Sequence, residues 1–501
     1  MRTLLSVFDK TGLVDLARFL VEAGSELVAT GGTAEALRSA GLPVTAVEAV
    51  TGFPEGLGGR VKTLHPALHA GLLARPDPMD DQELERLGIR GIDVLVANLY
   101  PFRARWLSGV PAAELIEDVD IGGVALLRAA AKNHARVLVL GDPSRYAEAV
   151  RRGPEGWDDA YRLGEAAYTF RLVATYDADI AAAFSAWTGE RFPERWTVTG
   201  DRLGDLRYGE NPHQAAALYR APRGGALTDA RVLQGKALSY NNWADADAAW
   251  RAVWDLPGAG AVGLKHQMPC AAALGMPAAE AFRRVREGDP VSIFGGIVAF
   301  NQAIDGDTAR ALTDLFLEVV AAPDVTPEAR QVMAKKPNLR VLEAPRPAVM
   351  PEMVMSLADG WLVQERDLTN NSSETWSHQA GPQDVLMARR ADAEFAWVVV
   401  RHARSNAVVL VRDGMTVGIG QGQTNRIDAV RHALTMAGDR ARGAVLASDA
   451  FFFPDTVEEL QAHGVVLAVS PGGSVRDSAV TEAANRVGLG LWFTGERHFR
   501  H

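Results

Sequence analysis

A single cysteine, Cys270, stands in 501 residues. No intrachain disulfide forms from one thiol, and a zinc site built on several cysteines is excluded. Long apolar runs are missing as well. None approaches the roughly 20 residues that span a bilayer, so no membrane partner is expected. Residues 1–10 hold an apolar run too short for a secretory signal and reach Asp9 at once, which makes the cytoplasm the expected location. Positive charge is in deficit: the formal net charge is -10. Such a molecule repels polyanions on average, so nucleic acid is not an expected partner. An anionic ligand must be held by local cations and oriented N–H groups. Low-complexity tracts are absent too. What is present is ordinary, 48% hydrophobic and 23% charged residues, in a chain long enough for about two to four domains.

The first half alternates strand and helix. Apolar runs predict strands over 4–7, 25–30, 44–47, 92–98 and 136–140. Helical spacing predicts helices over 13–23 and 34–40, and a long one over 165–187. Strands separated by helices imply a parallel, doubly wound sheet of the α/β class. Ligands of such sheets sit at the carboxyl ends of strands. Asp9-Lys10, Gly31-Gly32-Thr33 and Asn98-Leu99-Tyr100 all fall there. The polar stretch 188–206 is the expected domain boundary, giving domains of 1–195 and 196–501. Beyond it, strands are expected over 261–264, 296–300, 407–411, 417–419, 444–447 and 465–469, and helices over 243–254, 278–287 and 308–316. The breaker-rich stretch 345–383 reads as a connector between subdomains of about 200–345 and 385–501. No residue-level repeat is evident between them.

Several clusters carry chemistry. Gly31-Gly32-Thr33 reads as a small anion nest, or as a plain turn with Thr33 capping a helix. Gly58-Gly59-Arg60-Val61-Lys62-Thr63 offers close backbone approach, a guanidinium fork and an ammonium, as a phosphate loop or a solvated basic one. His65 and His69 are four apart, but the Glu of a zinc-protease helix is absent, which favours a structural role. Asp120-Ile121-Gly122-Gly123 opens a helix with Arg128 and Lys132 on one face, where two like charges call for an anion or a carboxylate. Downstream, Lys265-His266 follows a strand. Both reach one ligand only if the chain turns, and Gln267-Met268-Pro269 supplies the expected turn. An imidazole beside a cation tends to stay neutral and so to serve as a general base. Gly418-Ile419-Gly420-Gln421-Gly422 and Pro471-Gly472-Gly473-Ser474 are weaker nests, and the first lacks dinucleotide spacing. The terminal Arg497-His498-Phe499-Arg500-His501 lies where chains fray. Together the clusters suggest two sites for small phosphorylated molecules.

Asp9-Lys10-Thr11-Gly12, Thr51-Gly52-Phe53-Pro54-Glu55, the segments 58–66, 98–102, 120–123 and 128–134, Arg207 to Gln214, Asn241-Asn242, Ser292-Ile293-Phe294-Gly295-Gly296, Ser405-Asn406, Ser448-Asp449-Ala450-Phe451-Phe452 and the terminal 497–501 resemble the bifunctional purine-biosynthesis family that joins an AICAR transformylase to an IMP cyclohydrolase. The resemblance runs from Ser6 to His501. It implies an N-terminal methylglyoxal-synthase-like domain with a Rossmann-like parallel sheet, then two tandem cytidine-deaminase-like subdomains. Pro269-Cys270 lacks the second cysteine of a zinc deaminase, so no metal is expected.

The implied co-substrate is 10-formyltetrahydrofolate, and the implied ligands are AICAR, FAICAR and IMP. The implied assembly is a homodimer with transformylase sites at its interface. Implied catalytic residues are Lys265, His266 and Asn406 for formyl transfer, and Lys62, Tyr100, Asp120 and Lys132 for ring closure. Implied binding residues are Lys10, Thr30, Gly31, Gly32, Thr33, Arg60, Thr63, Asn98 and Ile121 in the first half. In the second they are Arg207, Tyr208, Gly295, Arg426, Asp449, Arg497 and Phe499. Departures from the family pattern are Phe8 for Ser, Met268 and Ala271 in the Lys-His segment, Gln421 for Ala, and a Phe451-Phe452-Phe453-Pro454 segment one residue short. The last weakens the folate expectation, so one surviving activity, or a purine-nucleotide sensor, are the competing readings.

Overall fold

The computed structural model describes the whole chain except residues 55, 58–60, 226, 348, 349, 370 and 371. Contacts divide it into two compact units, Met1–Gly200 and Asp201–His501.

The first unit is built on a 5-stranded sheet of β1 (Arg2–Ser6), β2 (Glu26–Ala29), β3 (Thr45–Ala46), β4 (Val94–Ala97) and β5 (Leu138–Leu140), in the order β3-β2-β1-β4-β5. Every pairing is parallel. Val94–Ala97 is buried throughout, as a strand covered on both faces must be. Helices Leu13–Glu22 and Gly31–Ser39 cover one face; Pro66–Leu73, Gly122–Lys132 and Asp159–Thr188 cover the other. The chain winds outward from β1 in both directions, so the topological switch point lies between the ends of β1 and β4.

The second unit opens with a hairpin, β6 (Asp201–Leu206) and β7 (Ala216–Arg220). Its main sheet is 12-stranded. One half holds β8 (Arg231–Gln234), β9 (Gly260–Lys265), β10 (Met268–Leu274), β11 (Ile297–Phe300), β12 (Val319–Ala322) and β13 (Arg340–Glu343). A separate hairpin follows, β14 (Glu352–Ser356) and β15 (Trp361–Glu365). The other half holds β16 (Ser377–Ala380), β17 (Val408–Arg412), β18 (Met415–Gly420), β19 (Val445–Ser448), β20 (Leu467–Ser470) and β21 (Gly490–Phe493). Read from the centre, the orders are β10-β9-β11-β12-β13-β8 and β18-β17-β19-β20-β21-β16. Each half is a hairpin, a strand antiparallel to it, two parallel neighbours and an antiparallel edge.

The duplication reaches single residues. Asp255 and His402, separated by 147 positions, occupy equivalent places and meet each other at 2.8 Å. At the same offset Ala244-Asp245-Ala246-Asp247-Ala248-Ala249-Trp250 matches Ala391-Asp392-Ala393-Glu394-Phe395-Ala396-Trp397. Trp250 and Trp397, fully buried, anchor helices Tyr240–Asp255 and Asp384–His402 to the same sheet face. Truncating either to Ala would cost about 3–5 kcal/mol. The remaining long helices of both halves cover the opposite face.

Three expectations change. The stretch 345–383 is more than a connector, since it carries the β14–β15 hairpin and the edge strand β16. The glycines at 418 and 420 serve packing: a Cβ on either would fall on the carbonyl oxygens of Ala433 and Ala429. The nest at Gly472-Gly473-Ser474 is filled by the chain itself, because the Asp477 carboxylate accepts the N–H groups of Gly473 and Ser474 at 2.7 and 3.1 Å.

Candidate functional site

Residues just beyond β1, β4 and β5 line one cavity of about 600 Å³ in the first unit, among them Phe8, Lys10, Asn98, Tyr100 and Asp142. Asn98 braces its mouth across the switch point. Its Oδ1 accepts the N–H groups of Phe8 and Asp9 at 2.7 and 3.0 Å, and its Nδ2 donates to the Asp9 carbonyl at 2.8 Å. Phe8 meets Tyr100 edge-on at 5.5 Å, so the side chain at the departure from Ser forms an aromatic wall. Helix Gly31–Ser39 begins one strand away with Thr30 as its N-cap residue. Gly31, Gly32 and Thr33 are its first turn, whose N–H groups have no partner within the helix. Thr33 is therefore not the cap. Its hydroxyl takes the Val7 N–H at 3.1 Å and donates to the Val7 carbonyl at 3.2 Å.

A second cavity, also about 600 Å³, is lined by His69, Asp120, Ile121, Arg128, Lys132 and Asp177, with apolar walls that include Val124 and Phe170. Helical spacing puts Ile121, Arg128 and Lys132 on one face of Gly122–Lys132 and its cap. Asp120 does not pair with either cation among the described residues. Its carboxylate accepts the N–H of Gly123 at 2.6 Å and that of Tyr100. Burial pushes its pKa up, and these hydrogen bonds pull it back only in part. Asp120 thus ties the second cavity to Tyr100 of the first. Tyr176 does the same, accepting the Asp120 N–H at 2.9 Å and donating to the Asp118 carbonyl at 2.7 Å. His69 Nε2 is buried and finds no partner among the described residues. Burial lowers the imidazole pKa, leaving it neutral at pH 7. His65 has the structural role expected, capping Pro66–Leu73 through Nδ1. Thr63 is buried against Gly122, where a Cβ would strike its hydroxyl. Gly58, Gly59 and Arg60 lie outside the described residues.

In the second unit the chain turns at His266-Gln267, one residue earlier than expected, with φ of 55° and 60°. Met268 and Pro269 already belong to β10. Lys265, the last residue of β9, donates from Nζ to the Phe294 carbonyl at 3.0 Å. Gly295, with φ of 69°, follows that carbonyl and anchors its own N–H to Phe316 at 2.8 Å. Lys265, His266 and Gly295 therefore share one corner. Asp245 holds the turn from helix Tyr240–Asp255, accepting the N–H groups of His266 and Gln267 at 3.2 and 2.7 Å. Burial raises the Asp245 pKa, and those N–H groups oppose the rise.

A second cluster forms at the end of β18. The buried Arg426 guanidinium donates to Asn406 Oδ1 and to the Ala407 carbonyl, each at 2.8 Å, and pairs with Asp449. Asp449 also takes the Ala407 N–H at 3.2 Å and the Ser405 hydroxyl. Asn406 Nδ2 donates to the Gln423 carbonyl at 2.8 Å. Gln421 donates to the Pro269 carbonyl at 2.7 Å, joining the two halves of the sheet. The C-terminal segment is pinned here. Arg500 gives its N–H to Ser405 Oγ at 3.1 Å and its guanidinium to the His402 carbonyl at 2.5 Å. His498 meets Asp367 at 2.5 Å. The exposed cations Arg207 and Arg497 lie over the rings of Tyr208 and Phe499, at 5.5 and 4.4 Å.

A family model described as the AICARFT/IMPCHase bienzyme matches residues 130–436, and one described as an MGS-like domain matches 12–125. The "Bifunctional purine biosynthesis protein PurH" of Deinococcus deserti is 47% identical over 517 residues, covering 100% of this chain and 99% of that protein. The chain belongs to the AICARFT/IMPCHase bienzyme family. The protein of the same name from Desulfitobacterium hafniense is 46% identical over 520 residues, again covering 100% of this chain and 99% of its own length. A solved structure, "Crystal structure of ForH", is 36% identical and covers 37% of this chain and 98% of that one; at a TM-score of 0.33 the superposition is too loose to bear on the fold.

Of the residues expected to act in such a bienzyme, Lys10, Asn98 and Tyr100 line the first cavity, and Asp120, Ile121 and Lys132 line the second. Arg426 turns out to be the internal partner of Asp449 and Asn406. Sequence reasoning passed over two residues. The sequence favours a structural role for His69, and only the cavity reveals its nitrogen without a partner among the described residues. Asp245 was visible in principle, because the segment holding it recurs around Asp392. Among the described residues no group of three His, Cys, Asp or Glu side chains converges as a metal site. No helix of those residues is long and apolar enough to cross a membrane.

Proposed function

We propose that each unit of this AICARFT/IMPCHase bienzyme performs one of the last two steps of IMP synthesis. The second unit moves the formyl group of 10-formyltetrahydrofolate to the 5-amino group of AICAR. The first closes the resulting FAICAR to IMP with loss of water. The division of labour rests on one observation: a lysine–histidine turn lies in one unit, and a cavity combining carboxylate, lysine and imidazole in the other.

The AICAR amine is a weak nucleophile, because its lone pair is drawn into the ring and carboxamide. Formyl transfer forms a bond from that nitrogen to the formyl carbon, makes an oxyanion, and then breaks the bond to the folate nitrogen. His266 accepts the amine proton, directly or through the carboxamide. Lys265 stabilises the oxyanion or protonates the departing nitrogen. Asn406 holds the oxyanion or the amide. Its side chain is fixed by Arg426 and Gln423, yet each end of the carboxamide keeps one hydrogen-bonding position. Arg207 and Arg497 grip the phosphate, with Tyr208 and Phe499 beside them, and Gly295 leaves room at the corner. Arg426 and Asp449 act through Asn406.

Ring closure is intramolecular, so proximity is largely built in. The carboxamide nitrogen attacks the formyl carbon, and the hydroxyl formed there leaves as water. Lys132 makes the most direct contact, with Lys62, Tyr100 and Asp120 orienting the formyl group and moving protons. Lys10, Thr30 to Thr33, Arg60, Thr63, Asn98 and Ile121 bind nucleotide and phosphate. The protein works in the cytoplasm as a homodimer. The exposed apolar side chains of hairpin β14–β15, including Met355, Trp361 and Leu362, suit self-association. Spectrophotometric IMP formation from AICAR and 10-formyltetrahydrofolate by the pure protein tests the whole reading. FAICAR accumulation, or no turnover, would remove one activity or both.

A further inference from the structure

The hairpin that carries Lys265 and His266 has a twin. In the duplicated sheet, β17 turns into β18 at Asp413-Gly414, with φ of 53° and 71°. β9 turns into β10 at His266-Gln267, with φ of 55° and 60°. Both are two-residue turns needing two left-handed residues, a geometry for which Asp-Gly is among the best sequences. The twin uses that sequence. The reactive copy places two side-chain-bearing residues where an L-residue is disfavoured by about 1–2 kcal/mol.

Each turn is clamped by one carboxylate from the preceding long helix. Asp392 accepts the N–H groups of Asp413 and Gly414 at 3.0 and 2.6 Å, from 21 and 22 positions upstream. Asp245 accepts those of His266 and Gln267 at 3.2 and 2.7 Å, from the same 21 and 22 positions. Even the basic residue before each turn is tied back alike. Lys265 reaches the Phe294 carbonyl, and Arg412 reaches the Arg442 carbonyl at 3.3 Å. The frame is shared, and only the turn residues differ.

We infer that Asp245 is a positioning residue for formyl transfer: its carboxylate holds the His266-Gln267 backbone in the left-handed turn and so aims the His266 imidazole at the reacting amine. The inference rests on His266 being the base. In the twin the clamp only adds stability to a turn that Asp-Gly already favours. In the reactive copy it opposes a backbone preference, and a turn released from it would relax and misplace the imidazole. Removing each clamp therefore costs different things. Loss of the Asp392 clamp lowers stability alone, whereas loss of the Asp245 clamp lowers stability and catalysis together.

The experiment compares Asp245→Asn with Asp392→Asn in the full-length protein. Each is assayed for FAICAR formation from AICAR and 10-formyltetrahydrofolate, for IMP formation from added FAICAR, and for melting temperature. Asp245→Asn should lower the transfer kcat on the order of tenfold to a hundredfold, as a misplaced catalytic group does. The KM for AICAR should stay within about threefold, since the loss falls on the transition state. Asp392→Asn should melt earlier yet keep its transfer kcat within about twofold. Ring closure should be unchanged in both. If Asp245→Asn proves insoluble, Asp245→Glu, which keeps the charge but moves it by one methylene, carries the same prediction in smaller measure. An unchanged kcat in the Asp245 variants, a rise in KM alone, or an equal loss of kcat in Asp392→Asn would overturn the inference. Failure of the wild-type protein to make FAICAR would instead remove the transformylase reading beneath it.

Discussion

The turns at His266-Gln267 and Asp413-Gly414 occupy equivalent places in one duplicated sheet and differ in what they ask of the backbone. The second takes the residues the geometry prefers. The first gives up that preference and keeps an imidazole at the tip. Two side-chain-bearing residues in left-handed backbone in one copy, against one Asp and a Gly in the other, point to the copy for which chemistry is proposed. A similar contrast holds between the two units. Around the cavities of the first unit, Asn98, Thr33 and Asp120 largely serve backbone N–H and carbonyl groups, and Lys10, Arg128, Lys132 and His69 are among the polar groups that line the space. In the second unit Lys265 and His266, proposed for transfer, sit on one tight corner braced from behind by Asp245.

The sharpest way to break the contrast between units is Lys132→Ala. Ring closure of FAICAR should fall on the order of a hundredfold, the scale of one lost electrostatic contact in the transition state. Formyl transfer by the same protein should be unaffected, and a parallel loss would mean that the sites are not separate. A smaller effect concerns Asp120. Burial raises its carboxyl pKa from the ordinary value, so the charged form appears at higher pH than for an exposed Asp. The rate of closure should therefore fall as pH drops through that raised pKa. Asp120→Asn should flatten that limb, and a limb unmoved by the substitution would assign it to another group. The smallest effect tests the two turns directly. Gly414→Gln should destabilise by about 1–2 kcal/mol. A Cβ there meets nothing closer than 3.7 Å, so the cost is one of conformation alone. Gln267→Gly should stabilise by about the same amount, read by chemical denaturation. Equal responses of the opposite sign at the two sites would show that the turns differ only in strain.

Much of this architecture is legible in the sequence. Buried parallel strands announce themselves: Val94–Ala97 and Val445–Ser448 stand within short apolar runs because helices cover both faces. Lys10, Asn98 and Tyr100 follow such strands and line a cavity there. The errors have physical causes. Pro269 suggested a turn, but it sits in β10 where the register with β9 shifts, a place that tolerates a missing N–H. The edge strand β16 reads Ser-His-Gln-Ala and carries no apolar signal, since an edge has little to bury. Thr30 and Thr33 are both plausible caps, and the start of the helix at Gly31 with the Thr33 hydrogen bonds to Val7 separates them. The glycines at 418 and 420 looked like a ligand loop because close helix packing and close ligand approach select the same residue. The repeat is faint in the sequence because its identities are few, yet Asp245 pairs with Asp392 and Trp250 with Trp397 at one offset.

The central claim is that the corner at 265–267 performs transfer alone, while closure belongs to the other unit. His266→Ala, supplied in one tube with AICAR and 10-formyltetrahydrofolate and in another with FAICAR, tests it most directly. Transfer should drop about a hundredfold to ten-thousandfold while IMP still forms from FAICAR at the wild-type rate. Transfer that persists undiminished, or closure that disappears along with it, would contradict the account.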